Sequence, residues 1–174
     1  MYFDSFPIIQ YGSSDGAVKN VTNLLKRIAV RSKLKTNVSF FDTYDVKNGE
    51  TPEIIADKLY DDPKLHWVVM LFNDVTDRYH DWPMSTPQFL QFVNDKYDNV
   101  DAVHHYEITQ SSGSTRVKID IGTDNTDYPS ATPITNFEFE QERQDTIRQI
   151  RLLDPAYVEQ FVSEFDALVK ESIL

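Results

Sequence analysis

At Thr51-Pro52, Asp62-Pro63, Thr86-Pro87 and Asp154-Pro155 a residue able to cap a helix stands directly before a proline. The side-chain oxygen of Thr or Asp can accept a hydrogen bond from an orphan amide of the first helical turn. Proline at the next position loses no needed donor, and its fixed φ suits a helix start. The pattern therefore predicts four helix starts. The first helix is short, with Ile54, Ile55, Ala56 and Leu59, and closes at Tyr60. The second, with Leu65 and Trp67 to Phe72, is apolar nearly all round and should be the most buried element. The third carries a stripe of Phe89, Leu90, Phe92, Val93 and Tyr97. The last is long, with Tyr157, Val158, Phe161, Val162, Phe165, Leu168, Val169 and Ile173 opposite Glu159, Glu164, Asp166, Lys170 and Glu171. A basic helix is expected around Val18 to Ala29.

Strand signals are fewer. Asn37 to Val46 is rich in aromatic and β-branched residues. Val103–Thr109 and Thr115–Ile121 flank a Gly-containing turn, Gln110 to Ser114, and read as a hairpin. Residues 122–133, rich in Asp, Thr, Gly and Pro, read as a loop. Ile147, Ile150 and Leu152 fit a short strand or the end of a helix. The expected class is α+β.

Length and composition narrow the function. The chain has 174 residues, enough for one globular domain or one with a small appended module. It has no cysteine, so disulfides, thiol nucleophiles and thiolate metal sites are excluded. The longest apolar run, Trp67 to Phe72, is six residues, against about 20 for a membrane span. Met1 to Gln10 lacks the pattern of a signal peptide, so synthesis in a cytoplasm-like compartment is expected. The formal net charge of −11 makes nucleic acid and anionic membranes poor partners. The charge is also uneven. Residues 1–43 hold six bases against three acids, and residues 44–174 hold eleven against 25. A basic arm on an acidic body suits docking onto other proteins, but from charge alone a solvated face is the better explanation.

No catalytic constellation emerges. Nucleophile elbow, P-loop, dinucleotide fingerprint and paired zinc histidines are absent from the sequence. His104 and His105 are adjacent on an expected strand and should point to opposite faces; they, His66 and His80 read as structural or surface residues. Two acidic clusters, Asp74/Asp77/Asp81 and Asp120/Asp124/Asp127, lack EF-hand spacing and read as turn caps. No cofactor is expected. Tyr2, Phe3, Phe6 and Tyr11, with Pro7, Ile8 and Ile9, make an apolar start without periodicity. It either packs on its own domain or anchors in a partner.

Residues 44–73 resemble a LysM module. Tyr44-Asp-Val46, Gly49-Glu50-Thr51, Ile54-Ile55-Ala56 and Tyr60 are similar to that family's strand, turn and first helix, with Glu50 in place of the usual Asp. Trp67, Leu71 and Asn73 are similar to its second half. LysM modules bind N-acetylglucosamine polymers, so this resemblance implies a peptidoglycan or chitin site at Gly49, Glu50, Thr51 and Pro52, with Asn73 and Asp74 opposite.

The longer context resembles another family. Ile55-Ala56, Tyr60, Pro63, His66-Trp67, Asn73-Asp74 and Trp82-Pro83 are similar to the baseplate wedge protein 53 family of T-even-type contractile-tailed bacteriophages, which has a LysM-like core. Residues 134–140, Arg148 to Leu153 and the helix after Asp154 resemble its tail segment, and Phe3 to Ile8 its start. The hairpin at 102–121 is matched by position. This resemblance implies a small LysM-like βααβ-type core with extra helices, a β-hairpin and a long C-terminal helix. It divides the chain into an N-terminal arm and basic helix (1–36), the LysM-like core (37–83), a helix with hairpin and loop (84–133) and a C-terminal strand and helix (134–174). It implies a non-enzymatic virion protein, in multiple copies, that joins neighbouring wedge, sheath-initiator and hub proteins. The expected grips are the two apolar ends of the chain: Tyr2, Phe3 and Phe6, and Phe161 and Phe165.

Overall fold

The computed structural model describes residues 2–12, 16–25, 40–111, 113 and 117–171. Contacts divide the chain into two units. One comprises residues 1–46, 50–81 and 149–174; the other comprises 47–49 and 82–148.

The first unit begins with a single 3-10 turn, Tyr2–Ser5, and a hairpin of β1 (Ile8–Gly12) and β2 (Val18–Thr22). The two strands pair antiparallel, from Ile8 opposite Thr22 to Gly12 opposite Val18. Val18–Thr22 is thus not helical. Val18, Val21 and Thr22 are β-branched, and Gly16, at φ +80, supplies a left-handed turn residue ahead of β2. The remainder of the expected basic helix, residues 26–29, lies outside the described residues, as do Asn37, Val38 and Ser39 of the next expected strand. That strand is β3, Phe41–Asp45.

Two helices follow. In α1 (Pro52–Tyr60), Thr51 caps as expected, its Oγ1 accepting from the Ile54 amide at 3.4 Å, with Pro52 in the first turn. Asp62 caps a 3-10 turn, Pro63–Leu65, that leads into α2 (His66–Phe72). Val68 and Val69 of α2 are almost fully buried. The closing strand, β7 (Gln149–Leu153), comes from beyond the second unit and pairs antiparallel with β3, Phe41 opposite Leu153. The strand that closes this unit follows only after residues 73–148, outside the 37–83 segment expected to hold the core. Asn73 ties the ends together: its Nδ2 donates to the Val69 and Arg151 carbonyls, and its Oδ1 accepts from the Arg151 amide, each at 2.8 Å. α5 (Pro155–Glu171) completes the unit.

The second unit holds α3 (Thr86–Lys96), the sheet of β4 (Val103–Thr109), β5 (Lys118–Asp120) and β6 (Thr132–Thr135), and α4 (Asn136–Arg148). β4 is central, antiparallel to both neighbours. Two expectations shift here, and one helix is new. The cap of α3 is Ser85, one residue earlier than expected, in a reciprocal capping box with Gln88. The 122–133 loop ends in β6 at Thr132. α4 carries no apolar stripe in sequence, yet Thr135 and Glu138 form another box: Glu138 Oε2 accepts from the Thr135 amide at 2.8 Å, and Thr135 Oγ1 from the Glu138 amide at 3.2 Å.

Candidate assembly surface

The N-terminal hairpin is the feature least explained by folding. Every residue of β1 and β2 is exposed. Side chains alternate between faces along a strand. Ile9, Tyr11 and Val21 therefore share one face, and Ile8 and Val18 the other. Ile8 is 71% exposed, Val18 65% and Tyr11 61%; just past β2, Leu25 reaches 88%. A two-stranded hairpin with no covered face is marginal in water, and its strands present unpaired edges to a partner. Clustered apolar residues of this kind mark an interaction surface. Burying such a side chain contributes roughly 1.5–3 kcal/mol.

The segment just before the hairpin behaves differently. Phe6 is buried with Phe165 and Val169 of α5, and Trp67 packs on them. The ring series continues through α5 and α2: Phe165 lies 4.6 Å from Trp67, Trp67 5.9 Å from Phe161, Phe161 4.8 Å from Phe72, and Phe72 5.0 Å from Phe41. Of the expected grips, Phe6 and Phe165 therefore lie in the unit's own core and Phe161 is half-buried against it. Phe3 is 54% exposed, with its ring 5.5 Å from Phe6. The side chain of Tyr2 lies outside the described residues. The exposed apolar surface sits a few residues later, in a segment whose second half reads from sequence as basic helix. The signals that could have found it are Gly12 and Gly16, at the end of β1 and just before β2, and the β-branched content of Val18 to Thr22.

The glycan-site candidates have structural work. Glu50 is buried; it accepts from the Tyr44 hydroxyl at 2.9 Å and from Lys58 Nζ at 2.5 Å. Burial first, then the Glu50 bond, raises the Tyr44 phenol above its usual range, and the same carboxylate raises the Lys58 ammonium. Gly49 provides a positive φ of 80. Thr51 caps α1, Pro52 is buried in its first turn, and Asn73 holds β7. Asp74 sits in a left-handed turn at φ 55.

The second unit repeats the carboxylate device, a pairing the sequence did not disclose. Glu140, 1% exposed, accepts from the Tyr97 hydroxyl at 2.8 Å and Lys96 Nζ at 2.5 Å. Burial pushes its pKa up, but the bonds from Lys96 and Tyr97 outweigh that and hold it below the usual glutamate range. His104 and His105 do not diverge. A register irregularity between Val103 and His105 turns the strand, and the two Nδ1 atoms lie 2.9 Å apart. His104 stacks on Phe139 at 3.9 Å. The acidic clusters are turn caps where their bonds are seen. Asp81 Oδ2 accepts from the Thr76 and Asp77 amides, Asp77 from Tyr79 and His80, and Asp124 from Thr126. Those bonds lower the pKa of each of the three. Among the described residues no three His, Asp or Glu side chains come together in a way that could hold a metal ion.

A family model described as Base plate wedge protein 53 matches residues 1–168. The chain belongs to that family. A relative, baseplate wedge protein gp53 of Enterobacteria phage T4, is 24% identical, the match covering 88% of this chain and 83% of that protein. Membership makes the chain a structural protein of a phage tail baseplate wedge, associated with other baseplate proteins. It lends no support to glycan binding. No described helix is long and apolar enough to cross a membrane.

Proposed function

We propose that this wedge protein joins neighbouring wedge, sheath-initiator and hub proteins during tail assembly, that it acts in several copies without catalysis, and that the 8–25 hairpin is its principal grip. Synthesis in the host cytoplasm and residence in the virion tail go with this reading. The observation that carries it is the hairpin's apolar exposure on both faces, where seven of the 17 exposed large apolar residues among those described fall within 8–25. The N-terminal arm, the strand–helix–helix core and the C-terminal helix form a scaffold that presents this grip, anchored through Phe6.

Deleting residues 1–11 would also remove Phe6 from its contacts with Phe165 and Val169, so surface substitution is the cleaner test. The pair Ile8→Asp and Val18→Asp leaves the folded chain's core untouched. Mixed with the other wedge proteins, this variant is expected to lose incorporation by at least tenfold, which corresponds to the roughly 1.4 kcal/mol that either buried side chain alone exceeds. Incorporation at the wild-type level would remove the hairpin from the reading.

A further inference from the structure

We propose that the aromatic groove of the first unit receives a large apolar side chain flanked by lysine or arginine, presented by a neighbouring baseplate protein; this rests on the assembly reading above and adds a second, chemically different contact. The groove has a volume of about 300 Å3 and is walled by Phe40, Phe41, Phe72, Leu153, Tyr157 and Phe161. That is the low end of the size range of binding pockets and suits one aromatic or branched side chain as an anchor. The wall is built from firm parts. Phe41 and Leu153 are paired residues of β3 and β7, Phe40 and Tyr157 meet edge to face at 5.0 Å, and Phe72 and Phe161 belong to the core ring series. The groove is therefore preformed, which lowers the ordering cost of binding.

Its charge selects the flank. The remaining lining residues are Gln160 and Glu164, so the lining holds one acid and no base. Glu164 is exposed; its Oε1 accepts from Gln160 Nε2 at 2.8 Å, and no cation among the described residues pairs with it. Asp154 stands beside the groove, its amide bonded to the Phe40 carbonyl at 3.0 Å; among the described residues its Oδ1 accepts the Ala156 amide alone. An apolar floor with unpaired carboxylates at the rim favours a cation next to the anchor.

The test titrates two blocked dipeptide amides, N-acetyl-Phe-Lys and N-acetyl-Phe-Glu, to millimolar concentration into the full isotope-labelled chain. Backbone resonances of Phe40, Phe41, Tyr157 and Phe161 are followed. The expected result is saturable shifts at those positions, with the lysine peptide bound about threefold to fivefold more tightly, as one exposed ion pair allows. In Glu164→Gln the preference should fall below about twofold, the part left to Asp154, while both peptides still bind. Equal binding of the two peptides by the wild type, shifts located elsewhere, or a flat titration would each overturn the proposal. Concentration-dependent shifts at the same residues without peptide would overturn it too, assigning the groove to a second copy. Flat titrations beside failed incorporation of the hairpin variant would remove the groove and leave the assembly reading standing.

Discussion

The 8–25 hairpin and α5 are both rich in large apolar side chains, and they place them in opposite ways. Phe165 and Val169 of α5 are at most 2% exposed, closed in by Trp67 and Phe6. Ile8, Tyr11 and Val18 are all more than 60% exposed. The helix has a sheet, two helices and the N-terminal turn to cover its stripe. Among the described residues the hairpin has only its own two strands, and a lone strand pair has no third layer to bury against. Apolar content alone thus does not separate a core element from a grip. What separates them is whether the chain itself supplies the covering layer, and here Phe6 and Ile8, two residues apart, fall on either side of that line.

The largest expected effect lies on the core side. Phe165→Ala should cost about 3–5 kcal/mol, as for a truncated buried aromatic, read as a lower denaturant midpoint. A loss under 1 kcal/mol would mean that α5 is no better covered than the hairpin, and the comparison would fail. Next comes the buried carboxylate of the second unit. Glu140→Gln should cost about 1–3 kcal/mol at neutral pH by weakening the bonds to Lys96 and Tyr97. Because the folded pKa of Glu140 lies below its ordinary value of 4.5, its contribution is full above that value and is lost as pH falls through the folded one. Denaturation at pH 7 and pH 3 should therefore show the gap between wild type and variant narrowing in acid; a constant gap would contradict the charged pairing.

Asn73→Ala should cost about 1–2 kcal/mol, from bonds to Val69 and Arg151 that fasten β7. It should also raise amide exchange at Arg151 selectively. The smallest stability effect belongs to the hairpin: Tyr11→Ala should move the midpoint by no more than about 0.5 kcal/mol, as for an exposed site. A larger loss would show that Tyr11 is covered within the folded chain.

The helix starts were legible because the chemistry that makes them is local. Thr51, Asp62 and Asp154 each accept from a nearby amide just before their prolines. The third start lay one residue off because Ser85, not Thr86, completes a box with Gln88. α4 was hidden because its buried side of Glu140 and Gln144 is polar, so no apolar stripe announces it; Thr135 and Glu138 were its readable sign. The β1–β2 pair is hidden because Lys19, Lys26 and Arg27, with apolar neighbours, resemble an amphipathic helix over 18–29. The turn glycines and pairing with β1 decide otherwise for residues 18–22. The meeting of His104 and His105 depends on a strand irregularity that period-two reasoning does not contain. The aromatic groove joins residues from β3, α2, β7 and α5, far apart in sequence, so only the tertiary structure brings them together.

The most direct test of the account is incorporation of the full-length Ile8→Asp/Val18→Asp chain into wedges, followed by sedimentation beside the wild type, with thermal unfolding of both chains as the control. The account predicts matching unfolding curves and a variant left at the top of the gradient. A variant that unfolds as the wild type does and still sediments with the wedge would contradict it.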